Sequence, residues 1–289
     1  MLIAGAVCPH PPLLIPAALG AAASDPPAEL RKVTEAAAQA VARLVAAGPD
    51  LIAVVGGGPA DREYGPAAAG GLHDYGVHVT VGSGDPVLPL SLTVGRWLLE
   101  RAGILPAAGV LPAAEALPAA EVVDAAEVLA PASGSGGVVA GSVADGGAAD
   151  GGAAGGSKPV VLFQAVALRA SPGDCVKLGL VLAERAPRVA LLAMGDACAR
   201  PAREAPGVPD LAAQEYDEDV AEALAAADAR WLARLDPARD EELVVAGRVA
   251  WQVLAGAAIG RRLQGRLLCL SAPYGVTYLV ASWDETRTG

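Results

Sequence analysis

The chain has 289 residues, of which 53% are hydrophobic and 18% are charged. Its 32 acidic residues outnumber its 21 lysines and arginines, a formal net charge of −11 that repels polyphosphate backbones and anionic membrane surfaces and so disfavours nucleic-acid and membrane partners. A chain this long can bury roughly three quarters of its unfolded surface, so its core needs neither disulfides nor a structural metal.

Strand-like and helix-like segments alternate along the first part of the chain. Short apolar runs predict strands, and apolar residues at helical spacing predict helices. The expected elements are a strand over 2–8, a helix over 29–47, a strand over 51–55, a strand over 77–81 and a helix over 91–102. The strand over 51–55 opens into the glycines at 56–58, and Ser91 is the expected N-cap of the last helix.

The alternation fades in the middle of the chain and then resumes. Residues 133–157 are almost entirely Gly, Ala, Ser and Asp, which is too little apolar surface to offset ordering, so we expect a flexible surface insertion there. The expected elements beyond it are a strand beginning at 160–163, a helix over 173–186, a strand over 188–194, helices over 216–235 and 241–259, and strands over 267–270 and 276–283. This order predicts the α/β class, with a single domain whose mostly parallel central sheet is flanked by helices.

Hydropathy and cysteine usage indicate where the protein works. The mean hydropathy is +0.42, yet no uninterrupted apolar run approaches the ~20 residues of a membrane-spanning helix. The first residues also lack the positively charged segment of a signal peptide. The four cysteines lie far apart, in or near apolar segments, as reduced thiols of a cytoplasmic protein do. We therefore expect a cytoplasmic location.

Two polar residues follow predicted strands and are the main candidates for chemistry. His10, one of three histidines, lies between Pro9 and Pro11, whose rings make the loop rigid. Asp196 comes just after the strand over 188–194. Ligands of open α/β sheets bind at the carboxyl ends of strands, so we take His10 as a candidate metal ligand and Asp196 as a candidate catalytic residue. The alternative for each is a hydrogen bond that caps its loop.

Four further residues are candidates for ligand binding. Gly57 and Gly58 resemble an anion cradle, although they lack the spacing of a P-loop or of a dinucleotide-binding turn. Asp61 follows them closely. Arg248 lies on an inner helix, where a buried arginine must either pair with a carboxylate such as Asp196 or bind an acidic ligand.

The remaining histidines and two tyrosines have simpler expectations. His73 and His78 lie in a glycine-punctuated turn, and their spacing places them on opposite faces of an extended segment. We therefore expect surface residues rather than joint metal ligands. Core packing is the expectation for Tyr274 and Tyr278.

Several motifs, taken in order, resemble a known family. These motifs are Cys8-Pro9-His10-Pro11-Pro12, Val54-Val55-Gly56-Gly57-Gly58-Pro59 with Glu63-Tyr64-Gly65, Met194-Gly195-Asp196, Gly247-Arg248 with Trp251, and Tyr274-Gly275-Val276 with Tyr278. On these motifs, the chain is similar to the class III extradiol ring-cleavage dioxygenases of the LigB type, over essentially its whole length except the Gly/Ala-rich insertion.

The resemblance implies a single LigB-like α/β domain over 1–289 that inserts both atoms of O₂ into a catechol. Its implied cofactor is non-haem Fe(II), held by two histidines and a glutamate so that open positions remain for catecholate and O₂. His10 matches the first metal histidine. No histidine stands at the second position near 57–61 or at the proton-transfer position near 197–199, and no glutamate stands near 246–248.

These departures from the family pattern leave three hypotheses for the function. The one we favour is a degenerate member that keeps a small-molecule pocket at the strand ends, takes a small aromatic ligand and has little iron-dependent ring cleavage. The alternative is an active Fe(II) dioxygenase whose rearranged ligands are His10, Asp61 or Asp196, and His73. The third is an unrelated α/β enzyme, such as a hydrolase, that binds an anion at the glycines. A homodimer is the expected assembly.

Overall fold

The computed structural model of the chain describes residues 1–106, 158–199 and 211–286. The predicted insertion over 133–157 lies outside these residues. The strands are β1 (Leu2–Cys8), β2 (Leu51–Gly58), β3 (Arg62–Tyr64), β4 (Ala69–Gly71), β5 (Thr80–Val81), β6 (Pro86–Leu88), β7 (Val160–Ala167), β8 (Val189–Met194), β9 (Leu263–Ser271) and β10 (Tyr278–Glu285). The helices are α1 (Ala28–Ala46), α2 (Leu90–Arg101), α3 (Pro172–Glu184), α4 (Leu211–Ala226), α5 (Ala229–Leu232), α6 (Pro237–Leu243) and α7 (Arg248–Ala258).

Seven of the strands form one sheet in the order β3-β7-β2-β8-β1-β10-β9. Strands β7, β2, β8 and β1 pair in parallel, whereas β3 and β10 run antiparallel to their neighbours. Strand β9 is antiparallel to β10 and so has the direction of β1. The α/β class with a mostly parallel central sheet is thus confirmed, and the carboxyl ends of the four central strands meet at one edge.

Helices cover both faces of this sheet because successive side chains of a strand point to opposite sides. In β2, Ala53 and Val55 pack in one apolar cluster with residues of α3, α4 and α7. Ile52 and Val54 pack in the other cluster, with residues of α1 and α2. Buried runs such as β1 and β8 therefore lack the polar alternation of a half-exposed strand.

Helices α3 and α7 touch through their backbones. A β-carbon at Gly179 of α3 would collide with the Val253 carbonyl oxygen of α7, and one at Gly256 of α7 would collide with the Val176 carbonyl oxygen of α3. Only glycine permits so close an approach. The contact fixes α7, which begins at Arg248, against the rest of this layer.

A second, three-stranded sheet of order β5-β4-β6 packs beside α2 and is held by one buried arginine. Arg96 donates hydrogen bonds to the carbonyl oxygens of Pro66 at 2.6 Å and Ala68 at 2.9 Å. Its Nε donates to Glu100 Oε1, one turn later on α2, at 2.9 Å. The guanidinium thus ties the chain before β4 to the helix.

Two predicted helices are each broken in two. The helix predicted over 216–235 ends with α4, because Ala227 has φ of 52°, and the helix predicted over 241–259 is interrupted after α6 by Val244, with φ of 55°. Left-handed backbone at Ala or Val ends a helix without any sequence signal. The starts of the next two helices are marked in the sequence, because the side chains of Asp228 and Asp236 cap α5 and α6.

Three smaller predictions also need correction. Strand β2 continues through Gly58 instead of opening at Gly56, and only Thr80–Val81 of the strand predicted over 77–81 forms. Ser91 does not cap α2, since its hydroxyl donates to the Gly57 carbonyl oxygen at 2.8 Å and Pro89 is the N-cap residue. No helix in the described parts of the chain has the length and apolar content needed to cross a membrane.

Candidate functional site

His10 and Asp196 meet at the carboxyl ends of β1 and β8. These strands are neighbours with Cys8 opposite Met194, so the loops that follow them emerge together. The main-chain N–H of His10 donates to Asp196 Oδ1 at 2.8 Å, and His10 Nδ1 lies 3.6 Å from the same oxygen. The two side chains are only 13% and 16% exposed. The sequence candidates thus form an imidazole–carboxylate pair.

The imidazole of this pair has unused bonding capacity. At 3.6 Å the side-chain contact is too long for a hydrogen bond, and within the described residues the buried Nδ1 of His10 has no hydrogen-bond partner. The capping alternative therefore applies to Asp196, which accepts the main-chain N–H, rather than to the His10 ring.

The charge of Asp196 affects the pKa of two tyrosines. Burial raises the pKa of Tyr278 to about 12, and the charge of Asp196 and the neighbouring Tyr274 act in the same direction. Burial also raises the pKa of Tyr75, helped by the charges of Asp74 and Asp196. Tyr278 is buried as predicted, but Tyr274 is 60% exposed in a turn before β10, with φ of 71°. Core packing was therefore the wrong expectation for Tyr274.

The predicted glycine loop is part of the sheet. Gly57 and Gly58 pair with Val166 and Ala167 of β7 in the parallel ladder, so they are not a free loop. Asp61 is exposed, and its Oδ1 accepts the Ala167 main-chain N–H at 2.7 Å, which caps the end of that ladder. Ligand contacts by these three residues stay predictions.

Arg248 pairs with a buried carboxylate, and this carboxylate is Asp240 rather than Asp196, the example named from the sequence. Its Nε lies 3.1 Å from Oδ2 of Asp240 on α6, and both side chains are about 5% exposed or less. Its other nitrogens donate to the carbonyl oxygens of Leu168 at 2.7 Å and Ala170 at 3.0 Å, and to Gln252 Oε1 at 2.9 Å. The guanidinium therefore joins the end of β7 to α6 and α7.

Asp240 is the functional candidate that the sequence did not single out. Tyr216 Oη of α4 donates to Asp240 Oδ1 at 2.5 Å. Burial raises the pKa of Asp240 to about 6, although the Tyr216 hydrogen bond and the charge of Arg248 both lower it. A buried carboxyl that titrates this close to neutral pH is a frequent feature of functional sites. The sequence signal that could have indicated a nearby carboxylate is Arg248, because a buried arginine needs an acidic partner.

This pair lines an open cavity beside the carboxyl end of β7. The cavity measures about 710 Å³, and its walls include Asp240, Glu241 and Arg248 together with Leu168 and Val244. The two apolar side chains are 55% and 47% exposed. Small-molecule sites typically measure about 300–1,000 Å³, with mostly apolar walls and a few polar groups, and this cavity fits that description.

The cavity and the imidazole pair lie on either side of one connection. Gly247, the residue before Arg248, donates its N–H to the main-chain carbonyl oxygen of Asp196 at 2.8 Å. The segment that carries Arg248 is thus hydrogen-bonded to the segment that carries Asp196. Both features belong to the strand-end edge that the sequence predicts as the site.

The Fe(II) centre implied by the resemblance does not fit these residues. Among the residues that the structure describes, no three His, Cys, Asp or Glu side chains come together in a way that could hold a metal ion. Among the described residues, Asp196 is the one acidic side chain paired with His10, whereas a facial triad needs three protein ligands.

His73 and His78 are close together, contrary to the prediction. Their ring centroids are 5.8 Å apart with an angle of 61° between the ring planes. The prediction assumed extended backbone, but His73–Tyr75 form a 3₁₀ turn and Gly76 has φ of 73°, so the chain reverses between the two rings.

Comparison with known proteins adds little to this picture. The chain matches no protein-family model and no curated protein. A solved structure described as the uncharacterized protein JW3007 from Escherichia coli K12 is 12% identical, over 98% of this chain and 99% of that chain, with a TM-score of 0.43.

Proposed function

We propose that this chain is a small-molecule-binding protein, a degenerate relative of the LigB-type dioxygenases that keeps a strand-end pocket and has lost iron-dependent ring cleavage. The observation that carries the proposal is the cavity of about 710 Å³ with the buried Asp240–Arg248 pair in its wall. Its size suits one small molecule.

The cavity favours an aromatic ligand with a polar substituent. Leu168 and Val244 offer apolar surface to a ring, and their exposure costs free energy until something covers them. Asp240 is the polar partner in the wall, because the hydrogen bonds of Arg248 already go to protein oxygens. A phenolic hydroxyl could donate to the Asp240 carboxylate, so we expect a small phenol-like compound.

The proposal leaves out ring cleavage because the ligand set is incomplete. His10 and Asp196 supply one imidazole and one carboxylate. Asp61 already accepts a hydrogen bond from the main-chain N–H of Ala167 in β7. His73 is paired with His78 instead. Iron held by His10 and Asp196 alone would bind weakly, since selectivity depends on ligand number and geometry.

Binding is tested with a panel of phenols, catechols, benzoates and inorganic phosphate, read out by thermal unfolding and calorimetry. A ligand at ~100 times its dissociation constant should stabilise the protein by roughly 2.7 kcal/mol. We expect a phenol or catechol to bind and Leu168→Asp to abolish that binding. Leu180→Asp, the same change at an exposed leucine of α3, is the control and should bind normally.

The opposite results are equally clear. No stabilisation by any aromatic compound, or equal binding by Leu168→Asp, would contradict the proposal. Stabilisation by phosphate alone would support the anion-binding reading. Anaerobic loading with Fe(II) should give no stoichiometric iron and no ring-opened product from catechols. Stoichiometric iron with a yellow ring-opened product that His10→Ala abolishes would establish the dioxygenase instead.

A further inference from the structure

The loop between β4 and β5 holds two exposed imidazoles in a fixed arrangement. Gly71 pairs with Thr80 at its base, and the Leu72 N–H donates to the Val79 carbonyl oxygen at 3.1 Å. Leu72 is fully buried and anchors the loop to the core. Because both ends are hydrogen-bonded, the positions of His73 and His78 follow from a closed turn rather than from a free segment.

The two imidazole rings contact each other in a T-shaped, edge-on arrangement. His73 and His78 are both exposed, and their centroids lie 5.8 Å apart. Within the described residues, no hydrogen bond or ion pair involves either ring. His73 Nδ1 lies against Gly71, where a β-carbon would come within 2.6 Å of it. The Nδ1 side of the His73 ring is therefore packed close to the Gly71 backbone.

We propose that His73 and His78 form a binding site for one divalent first-row transition-metal ion, with water in the remaining coordination positions. Two imidazoles that bind one ion at about 2.0–2.1 Å place their centroids roughly 5 Å apart, which a small side-chain rotation would reach here. Imidazole nitrogen suits Cu²⁺, Ni²⁺ and Zn²⁺, and affinities follow the order that puts Cu²⁺ highest. This site is separate from the strand-end cavity and does not depend on the proposed function.

The small number of histidines makes the test clean. Cu²⁺ is titrated into the full-length chain without a histidine tag, and binding is followed by calorimetry and by electron paramagnetic resonance. We expect one ion per chain, with hyperfine coupling to two imidazole nitrogens. His73→Ala and His78→Ala should each lower the affinity at least about tenfold, because even outer-shell changes at metal sites cost about that much.

Two further variants separate this site from the others. Gly71→Ala keeps both imidazoles but displaces the His73 ring, so we expect weaker Cu²⁺ binding with unchanged secondary structure. His10→Ala leaves the loop intact and should bind Cu²⁺ as tightly as the parent protein. Full Cu²⁺ affinity in His73→Ala and His78→Ala, or loss of binding in His10→Ala alone, would overturn the proposal.

Discussion

Two buried arginines, Arg96 and Arg248, make similar contacts in different places. Each lies within 3.1 Å of one carboxylate, Glu100 or Asp240, and each donates to main-chain carbonyl oxygens. Arg96 and Glu100 are one turn apart on α2 and tie down the small sheet. Arg248 and Asp240 come from different helices and line a cavity of about 710 Å³.

The difference shows that a buried ion pair by itself does not mark a site. Desolvation offsets much of the attraction within either pair, so stability does not explain why such pairs are present. What distinguishes Asp240–Arg248 is its place beside the carboxyl end of β7, next to exposed apolar side chains. Removing either arginine should therefore lower the unfolding free energy by a similar amount. Only changes in the Asp240–Arg248 pair should alter the affinity for a ligand.

Removing either arginine should have the largest effect. Arg96→Ala and Arg248→Ala each leave a buried carboxylate without its cation, which costs about 3–5 kcal/mol of unfolding free energy. Chemical denaturation measures this. Arg185→Ala, which breaks a half-exposed pair with Glu63, should cost about 1 kcal/mol or less. A similarly small loss for Arg248→Ala would show that its pair is solvated and unlike that of Arg96.

The pH dependence of stability should be the next largest effect. Because the Asp240 pKa rises from 3.8 in the unfolded chain to about 6 in the fold, the folded state binds more protons between these values. Stability from this group therefore falls as pH rises through that interval, by at most about 3 kcal/mol.

Asp240→Asn isolates this contribution. The unfolding free energy of the parent protein minus that of this variant should fall by up to about 3 kcal/mol between about pH 4 and about pH 6 and then stay constant. Burial raises the pKa of Glu100 too, so Glu100→Gln should show the same sign. Only Asp240→Asn should also change the affinity for a phenol. If Glu100→Gln changed that affinity as well, the two buried pairs would not differ in function.

Tyr216→Phe should have an intermediate effect. It removes the donor to Asp240 Oδ1 and leaves a buried acceptor unsatisfied, which costs about 1–3 kcal/mol. Tyr75→Phe, at a tyrosine that is 53% exposed, is the matched control and should change stability by less than about 0.5 kcal/mol. Urea denaturation compares the two. Equal effects would mean that Asp240 does not depend on the Tyr216 hydroxyl.

The smallest effect is expected at the rim of the cavity. Arg169 and Glu241 lie 3.5 Å apart with side chains 91% and 76% exposed, so solvent screens their attraction. Arg169→Ala should leave the denaturation midpoint unchanged. A measurable loss of stability would mean that the rim contributes to the fold as the buried pairs do.

The sequence predicts the central sheet well because its strands are continuous apolar runs. Strands β1, β2 and β8 begin and end within a few residues of the predicted bounds, and the meeting of His10 with Asp196 follows from adjacent strand ends. Such runs are long enough that burial, rather than local preference, decides their structure.

The cavity could not be predicted in the same way. Asp240 reaches Arg248 only because Val244 adopts left-handed backbone and breaks the predicted helix between them. Valine gives no sign of this, since its branched side chain disfavours that conformation. The meeting of His73 with His78 likewise depends on a turn whose only marker is Gly76.

The backbone contact between α3 and α7 has a consequence for the pocket. Gly179 and Gly256 line no part of the cavity, yet they determine how far α7 stands from its neighbour and hence where Arg248 meets Asp240. An added methyl group at either glycine would push α3 and α7 apart. This shift would move Arg248 and change the shape of the cavity. The dimensions of the cavity therefore depend on a helix–helix contact that a ligand bound in the cavity would not touch.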